Sequence, residues 1–389
     1  MAGDAAVLDG AGGTQVPTAV IDAIGMGLAE AMSNLGGKFA ASERTGEVVQ
    51  SARQAVADLV GGVPDGVVLG PNMTTLTFRF ADALSRTWGA GDEVVVTSLD
   101  HDANVRPWVL AAERAGATVR WAELDVATGE LRPEAFDGVI GDRTKLVAVT
   151  AASNAIGTRP DVRAVADRAH AHGAFVYVDG VHATPHVPTD VAAIGADFYA
   201  FSTYKLFGPH AGAVVADPAL LEGLAPAKLA PSSSAVPWRF EHGTPAFEQY
   251  AGITATVDWL AALSDASGTR RERVLATMAD AHDHTGVLLA RMVAGLEAIE
   301  GVRLVPADRR RTSTVSFTVD GMTPAEVAAG LAAAGVSVWH GDYYAYELMH
   351  RFGLAESGGA VRASPVLYND ESDIDRLVAA VASAVPAAA

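Results

Sequence analysis

Cysteine is missing from all 389 residues of this chain. Without a thiol, the chain cannot form a disulfide, use a cysteine nucleophile, or build a zinc or iron–sulfur site from cysteine ligands. Any function that depends on a thiolate of this chain is therefore excluded.

Positive charge is also scarce, with 28 Lys and Arg against 46 Asp and Glu and a formal net charge of −18. This balance argues against a phosphate-backbone partner, and we expect no nucleic acid partner. No run of about 18 uncharged apolar residues occurs, so we also expect no membrane span. The first residues lack the basic start and the apolar stretch of a signal peptide, which indicates a cytoplasmic protein.

Between about residues 50 and 265, apolar strand-like runs alternate with helix-like segments. Near-continuous apolar strands in such an alternation indicate a mostly parallel sheet that is covered on both faces. We therefore predict an α/β fold with a mostly parallel seven-stranded sheet in its large domain. The predicted strands are 66–69, 93–97, 118–121, 146–150, 174–178, 197–201 and 211–215, and the predicted helices are 74–86, 103–115 and 160–171.

A long helical stretch over residues 267–299 leads into a smaller α/β pattern. We place a domain boundary near residue 265, which gives a large domain over residues 26–265 and a small C-terminal domain over residues 266–389. Residues 1–25 are predicted to form an arm that packs on the small domain. The predicted elements of the small domain are strands 312–319, 336–339 and 360–364 and helices 324–334 and 371–384.

Two predicted strands each deliver one ionisable residue at the carboxyl end. Asp179 ends one apolar strand, and Lys205 closely follows the next and precedes a Gly-Pro turn. Ligand crevices of open α/β sheets lie at this edge. An amine and a carboxylate in one crevice suit pyridoxal phosphate, because the lysine can bind the cofactor covalently and the aspartate can keep its pyridine nitrogen protonated.

Several nearby residues could hold the phosphate group of such a cofactor. Met73 and Thr74 lie at a strand–turn–helix junction, where backbone N–H groups and the helix dipole favour an anion. The Ser202 hydroxyl precedes Lys205 by three positions. Gly243 and Thr244 are a further candidate contact, which in a dimer could come from the neighbouring subunit.

His101 follows a predicted strand inside an Asp-His-Asp sequence. Its imidazole could stack on a cofactor ring, lie exposed in a polar turn, or bind a metal together with Asp100 and Asp102. Three ligands in three adjacent residues are geometrically awkward, and no second cluster with ligand spacing accompanies them. We therefore expect no metal site and keep a metal-dependent hydrolase as a remote alternative.

Arg362 lies at the end of a short apolar strand in the small domain. A guanidinium fork matches a carboxylate with two parallel hydrogen bonds. Arg362 is therefore our candidate for binding a substrate carboxylate, and a surface salt bridge is the alternative.

These residues resemble the class V aminotransferase family of fold-type I pyridoxal phosphate enzymes, and within it the cysteine desulfurase-like and selenocysteine lyase-like subgroup. The combined lysine and aspartate motifs are the most specific part, and the similarity runs over nearly the whole chain. The matching segments are residues 9–17, 70–75, 99–104, 152–158, 178–183 and 202–209.

The resemblance implies a role for each matching residue. Lys205 is the Schiff-base lysine and moves the Cα proton, Asp179 pairs with the pyridine nitrogen, and His101 stacks on the ring. His182 and Asn154 lie near the phenolic oxygen of the cofactor. The implied phosphate contacts are Met73, Thr74, Ser202 and, from the other subunit of a homodimer, Thr244.

One departure from the family pattern bears on the reaction. Desulfurases accept sulfur on a mobile cysteine of a small-domain loop, and the corresponding loop here, residues 339–345, contains none. Tyr204 also stands where many desulfurases have histidine. The resemblance therefore implies the fold and the chemistry at Cα, but a persulfide-forming desulfurase is not expected.

We expect an enzyme that uses pyridoxal 5'-phosphate and removes the Cα proton of an α-amino acid. Cleavage of a C–S bond, or of another bond between Cβ and its substituent, is our preferred reaction. An aminotransferase or an epimerase is the alternative. Tyr343 and Tyr344 could orient or protonate the leaving group, or could simply pack at the mouth of the site.

Overall fold

The computed structural model describes residues 5–385, and within them it contains 11 α-helices and 13 strands. The helices are α1 (Thr18–Glu30), α2 (Ala40–Val60), α3 (Met73–Ser85), α4 (Arg106–Ala115), α5 (Val162–Ala171), α6 (Pro218–Glu222), α7 (Phe247–Ala262), α8 (Arg270–Glu297), α9 (Pro324–Ala333), α10 (Tyr346–Arg351) and α11 (Glu371–Ala384). The strands are β1 (Ala6–Val7), β2 (Val67–Gly70), β3 (Glu93–Thr97), β4 (Thr118–Ala122), β5 (Thr144–Thr150), β6 (Phe175–Asp179), β7 (Phe198–Ser202), β8 (Gly212–Ala216), β9 (Val302–Leu304), β10 (Val315–Val319), β11 (Val336–Ser337), β12 (Trp339–Gly341) and β13 (Ala360–Ala363).

The central sheet has seven strands in the order β2-β8-β7-β6-β5-β3-β4. Strand β8 runs antiparallel to both of its neighbours, and the other neighbouring pairs are parallel. The predicted α/β fold with a mostly parallel seven-stranded sheet is therefore confirmed. Most of these strands are buried along their whole length, which explains their continuous apolar sequences.

Helices cover both faces of this sheet. Side chains alternate between the two faces along a strand, so Val176 and Val178 pack on one side and Tyr177 on the other. Helices α2, α5 and α7 contribute to the first core, and α3 and α4 contribute to the second. Asn72 caps α3 by accepting the N–H of Thr75 at 2.8 Å, which fixes where that helix begins.

The C-terminal part contains an antiparallel sheet in the order β12-β13-β10-β9. Helices α8, α9 and α11 share its core, which also buries Ala6 and Leu8 from the start of the chain. Strand β1 pairs in parallel with β11. Helix α8 begins at a capping box between Thr269 and Glu272.

Some predicted boundaries are wrong. The single strand predicted over residues 336–339 is two strands, because β11 pairs with β1 whereas β12 pairs with β13 in a different sheet. The helix predicted from residue 103 begins at Arg106, since residues 102–104 form a 3-10 turn. Within residues 5–385, no helix has both the length and the apolar character needed to span a bilayer.

Candidate active site

The carboxyl ends of β3, β5, β6 and β7 meet at one edge of the central sheet. A cavity of about 590 Å³ lies at this edge and adjoins a narrower recess. Both spaces are lined by Thr74, His101, Ala103, Asn154, Tyr204 and Lys205. The cavity therefore lies where parallel sheets commonly bind ligands.

Asp179 and Lys205 reach the recess from neighbouring strands. Asp179 is the last residue of β6, and Lys205 ends a short 3-10 turn that directly follows β7. Because β6 and β7 are adjacent and parallel, the sheet brings both side chains into the same recess. Asp179 is 4% exposed and Lys205 is 7% exposed, so both groups are largely removed from water.

Burial shifts the pKa of both groups toward the neutral form. Burial, followed by repulsion from the Arg362 guanidinium, lowers the pKa of Lys205 to about 8. Burial raises the pKa of Asp179 to about 6, although the carboxylate accepts the N–H of Val181 at 2.8 Å and faces the Lys205 charge. Each group therefore titrates closer to neutral pH than it would in water.

His101 forms part of the cavity wall. Its Nδ1 accepts the N–H of Ala103 at 3.0 Å. Burial, with further repulsion from Lys205 and Arg362, lowers the pKa of His101 to about 3. The imidazole is therefore neutral with its proton on Nε2, and its ring stacks on Tyr344 with the centroids 5.6 Å apart.

The Asp-His-Asp sequence around His101 does not converge on one point. Asp100 accepts hydrogen bonds from Thr97 and, at 2.6 Å, from Asn104. Asp102 lies 3.3 Å from Arg106. Across residues 5–385, no group of three His, Cys, Asp or Glu side chains could hold a metal ion. The geometry gives the metal-dependent hydrolase no support.

The N-terminus of α3 lies at the recess next to Lys205. The first N–H groups of a helix have no acceptor within the helix, and the helix dipole favours negative charge there. Met73 donates its backbone N–H to the Ser202 hydroxyl at 2.9 Å, which ties the helix start to the end of β7. Thr74 and Ser202 both line the recess. These groups can hold a phosphate.

His182 and Asn154 each present an unsatisfied polar atom. The Nε2 atom of His182 lies 3.1 Å from the Thr312 hydroxyl and 2.8 Å from the Thr314 hydroxyl. Its Nδ1 is buried without a partner, as is Oδ1 of Asn154. Burial lowers the pKa of His182 well below its usual value. Unpartnered buried atoms beside a recess are positions where a polar ligand can be held.

Arg362 lies inside β13 and is 3% exposed. Its Nη1 donates to the backbone oxygen of Asn154 at 3.0 Å, and its guanidinium lies 4.5 Å above the Tyr343 ring. The Tyr343 hydroxyl donates to the backbone oxygen of Ala360. Tyr343 therefore meets the cavity with its ring, and its hydroxyl is engaged with the backbone.

Aromatic side chains form the mouth of the cavity. Tyr344 is 72% exposed and Trp339 is 54% exposed, and Phe78 lines the same cavity. Tyr343 and Tyr344 both have a φ of 56°, a left-handed conformation that is uncommon for residues other than glycine. The backbone oxygen of Tyr344 accepts the N–H of Asp102 at 2.7 Å, which fastens this loop across the cavity entrance.

Gly243 and Thr244 are the predicted site residues that one chain does not bring to the cavity. They line a separate pocket together with Arg79 and His210. Within a single chain they therefore contribute nothing to the recess at Lys205.

Asp9 is a cavity residue that the sequence analysis did not single out. Its Oδ1 lies 3.5 Å from Nη2 of Arg362. An isolated parallel β-bridge between the backbones of Asp9 and Ser364 holds the start of the chain beside β13. No local sequence pattern could have identified this contact, because its two partners come from opposite ends of the chain.

The residues around the recess fit pyridoxal phosphate. The start of α3 and Ser202 suit the phosphate, and the neutral ring of His101 suits a planar face. A protonated pyridine nitrogen would give the buried Asp179 carboxylate a positive partner when Lys205 is neutral. Lys205 supplies an amine for covalent attachment.

Comparisons with known proteins agree with this geometry. The Aminotransferase class-V family model matches residues 6–377. A probable cysteine desulfurase of Pseudomonas aeruginosa is 35% identical over 388 residues, covering 96% of this chain and 92% of the relative. An uncharacterized protein of Mycobacterium tuberculosis is 33% identical over 377 residues, covering 96% of this chain and 94% of the relative. The structure of the cysteine desulfurase CsdA (S-sulfonic acid) from Escherichia coli has a TM-score of 0.86 at 28% identity, covering 98% of this chain and 94% of that one.

Proposed function

Because this chain belongs to the class V aminotransferase family and is a pyridoxal 5'-phosphate-dependent enzyme, we propose that it is a lyase that cleaves a C–S bond, or another Cβ–substituent bond, of an α-amino acid. The observation that carries this proposal is that Lys205 shares the recess with Asp179 and the adjoining cavity with Arg362, in a chain without cysteine. Relatives named cysteine desulfurase support the choice of a C–S bond.

The cofactor is assigned to the recess together with the adjoining part of the cavity at the sheet edge. When bound, pyridoxal phosphate joins the amino group of the substrate and withdraws electrons from Cα, which acidifies the Cα–H bond. Asp179 favours a protonated pyridine nitrogen, and His101 covers the ring. The phenolic oxygen is assigned to the unpartnered Nδ1 of His182 and, when it carries a proton, to the unpartnered Oδ1 of Asn154. The Nδ2 of Asn154 already donates to the backbone oxygen of Tyr343.

Lys205 is assigned the role of the base that removes the Cα proton of the substrate. Its lowered pKa of about 8 makes the neutral amine accessible near neutral pH, where a base of matching pKa is most effective. Arg362 binds the α-carboxylate and thereby orients the Cα–H bond toward Lys205. The bond between Cβ and its substituent points toward the aromatic mouth formed by Phe78, Trp339 and Tyr344.

Loss of the Cα proton allows the Cβ–S bond to break, and its electron pair leaves with the sulfur. The thiol is released with one proton, and the remaining aminoacrylate hydrolyses to pyruvate and ammonia. A desulfurase instead stores sulfur as a persulfide, which requires a thiolate nucleophile. Because this chain has no cysteine, it cannot retain sulfur in that way.

We also propose that the enzyme works as a homodimer. Gly243 and Thr244 lie outside the cavity of their own chain. A second copy can present them to the phosphate group, with Thr244 as the principal contact. Chromatography with light scattering tests the dimer, and Thr244→Val should weaken cofactor retention without changing the folded state.

The reaction is tested by incubating the cofactor-loaded protein with L-cysteine and S-substituted cysteines in deuterated water and analysing the products by mass spectrometry. The lyase releases thiol or sulfide, pyruvate and ammonia. An aminotransferase forms a keto acid that retains the β-substituent, and an epimerase introduces deuterium at Cα without a keto acid. Either result, or alanine with transfer of sulfur to an external thiol, contradicts the proposed lyase. Lys205→Ala protein is the matched control.

A further inference from the structure

Asp9 lies in the cavity wall beside the Nη2 atom of Arg362. The Nη1 atom of Arg362 donates to the backbone of Asn154, so this edge of the guanidinium is already engaged. Asp9 holds its Oδ1 3.5 Å from Nη2. A substrate carboxylate that approaches Arg362 from the cavity therefore meets the carboxylate of Asp9 first.

The contact between Asp9 and Arg362 is loose. The Oδ1 atom of Asp9 is buried but accepts no hydrogen bond, and the Nε atom of Arg362 is buried without an acceptor. Burial raises the pKa of Asp9, and the nearby charges of Arg362 and Lys205 only partly oppose this shift. A buried guanidinium requires a negative partner, but this one is not held in the bidentate geometry of a permanent pair.

The surrounding contacts hold the backbone of Asp9 at the cavity wall. The backbone oxygen of Asp9 accepts the N–H of Gly12 at 2.9 Å, and the bridge to Ser364 ties the same residue to β13. A Cβ at Gly12 would lie 2.7 Å from both carboxylate oxygens of Asp9, so glycine at this position leaves room for them. Asp9 is thus held at the cavity wall, with its side chain 28% exposed.

We propose that Asp9 is a positioning residue that neutralises Arg362 in the ligand-free enzyme and gives up this place to the α-carboxylate of the substrate. Binding is then an exchange of one carboxylate for another at Nη2. The exchange keeps the buried guanidinium paired at both stages, and it weakens the binding of any carboxylate that cannot displace Asp9. This inference rests on the proposed role of Arg362 as the carboxylate site.

The test measures binding of propionate to the cofactor-loaded protein by titration calorimetry, with propionamide as the uncharged comparison. In Asp9→Asn the competing charge is absent, so propionate should bind about tenfold more tightly than to the wild type. Propionamide should bind both proteins equally. Asp102→Asn is the matched control, because it removes a carboxylate from the same cavity without touching Arg362, and it should leave propionate binding unchanged.

A stability measurement on the same proteins distinguishes the exchange of Asp9 for a ligand carboxylate from a purely structural role of Asp9. Asp9→Asn leaves Arg362 without a negative partner, so the ligand-free variant should melt at a lower temperature than the wild type. Propionate should restore more of the melting temperature in Asp9→Asn than in the wild type, and propionamide should not. A structural role for Asp9 alone predicts no such selective rescue.

Unchanged or weaker propionate binding in Asp9→Asn overturns the proposal, as does an equal gain in Asp102→Asn or a lack of binding to every protein. The result is independent of which products the enzyme forms. A failure of the lyase assignment appears in the product analysis, whereas a failure of the exchange appears only in these binding and melting measurements.

Discussion

Two buried arginines of this protein illustrate the difference between a structural and a functional charge. Arg53 forms two hydrogen bonds of 2.8 Å to the Glu241 carboxylate and packs 4.3 Å above the Trp238 ring. Arg362 has one carboxylate oxygen of Asp9 at 3.5 Å. Both guanidinium groups are almost fully buried, but only the first is paired bidentately with a carboxylate.

The difference follows from what each arginine faces. Arg53 joins α2 to β2 and to the segment after the 3-10 turn at Trp238, and the Glu241 carboxylate also accepts the N–H of Leu69 at 2.7 Å. Leu69 and Glu241 border the pocket of Gly243 and Thr244, but Arg53 itself is 1% exposed. Arg362 faces a cavity of about 590 Å³. A closed ion pair contributes to the fold, whereas a loosely paired arginine beside a cavity retains the capacity to bind a ligand.

The largest effect on activity is expected from a substitution in the cavity that Arg362 faces. Lys205→Ala should reduce kcat by at least about 10³-fold, because covalent attachment and the Cα proton transfer are both lost. The melting temperature should stay close to that of the wild type, since the replaced amine is a buried group with a lowered pKa. Turnover and thermal unfolding of the two proteins are measured side by side. Wild-type kcat without added amine would refute the assignment.

The second-largest effect is expected on stability, when the ion pair of Arg53 is broken. Arg53→Met should lower the free energy of unfolding by about 3–5 kcal/mol, because Glu241 becomes an uncompensated buried charge. The double variant Arg53→Met/Glu241→Leu removes both charges and should recover part of this loss. Chemical denaturation measures both. If Arg53→Met changed KM for an amino acid but not stability, the contrast between the two arginines would be wrong.

A smaller effect is expected when lysine replaces Arg362, because the positive charge is kept but the bidentate guanidinium group is lost. Arg362→Lys should raise KM for an α-amino acid about 10- to 100-fold, because a point charge replaces bidentate recognition, whereas kcat should change less. The matched comparison is the decarboxylated analogue of the same amino acid. Equal discrimination between the two ligands in both enzymes would place the carboxylate elsewhere.

The smallest effect concerns the aromatic mouth. Trp339→Ala should raise KM for S-benzyl-cysteine about three- to tenfold, since a contact with a large apolar substituent is lost. The KM for cysteine should stay within about twofold, because a small substituent does not reach the mouth. An equal change for both substrates would mean that Trp339 shapes the loop and does not contact the substituent.

Much of the fold could be predicted because its signals are local. Strands β3, β5, β6 and β7 are buried along most of their length, so each contains an apolar run and its carboxyl end is easy to identify. Those ends led directly to Asp179 and Lys205. The split between β11 and β12 could not be predicted, because each is two or three residues long and their partners lie in different sheets.

The unpredicted part of the site depends on contacts between distant parts of the chain. Asp9 reaches Arg362 only because the start of the chain forms a bridge with Ser364. His182 meets Thr312 and Thr314 across the junction between the two sheets. The sequence places these residues near strand ends or turns, but their partners follow from tertiary packing alone.

The central claim is that this enzyme releases the β-substituent and does not store sulfur. The most direct measurement is the ratio of pyruvate, alanine and released sulfide or thiol formed from L-cysteine and from an S-substituted cysteine by the cofactor-loaded protein, with Lys205→Ala as the blank. The account predicts equal amounts of pyruvate and of released sulfide or thiol, and no alanine. Alanine formed together with transfer of sulfur to an external acceptor would contradict it.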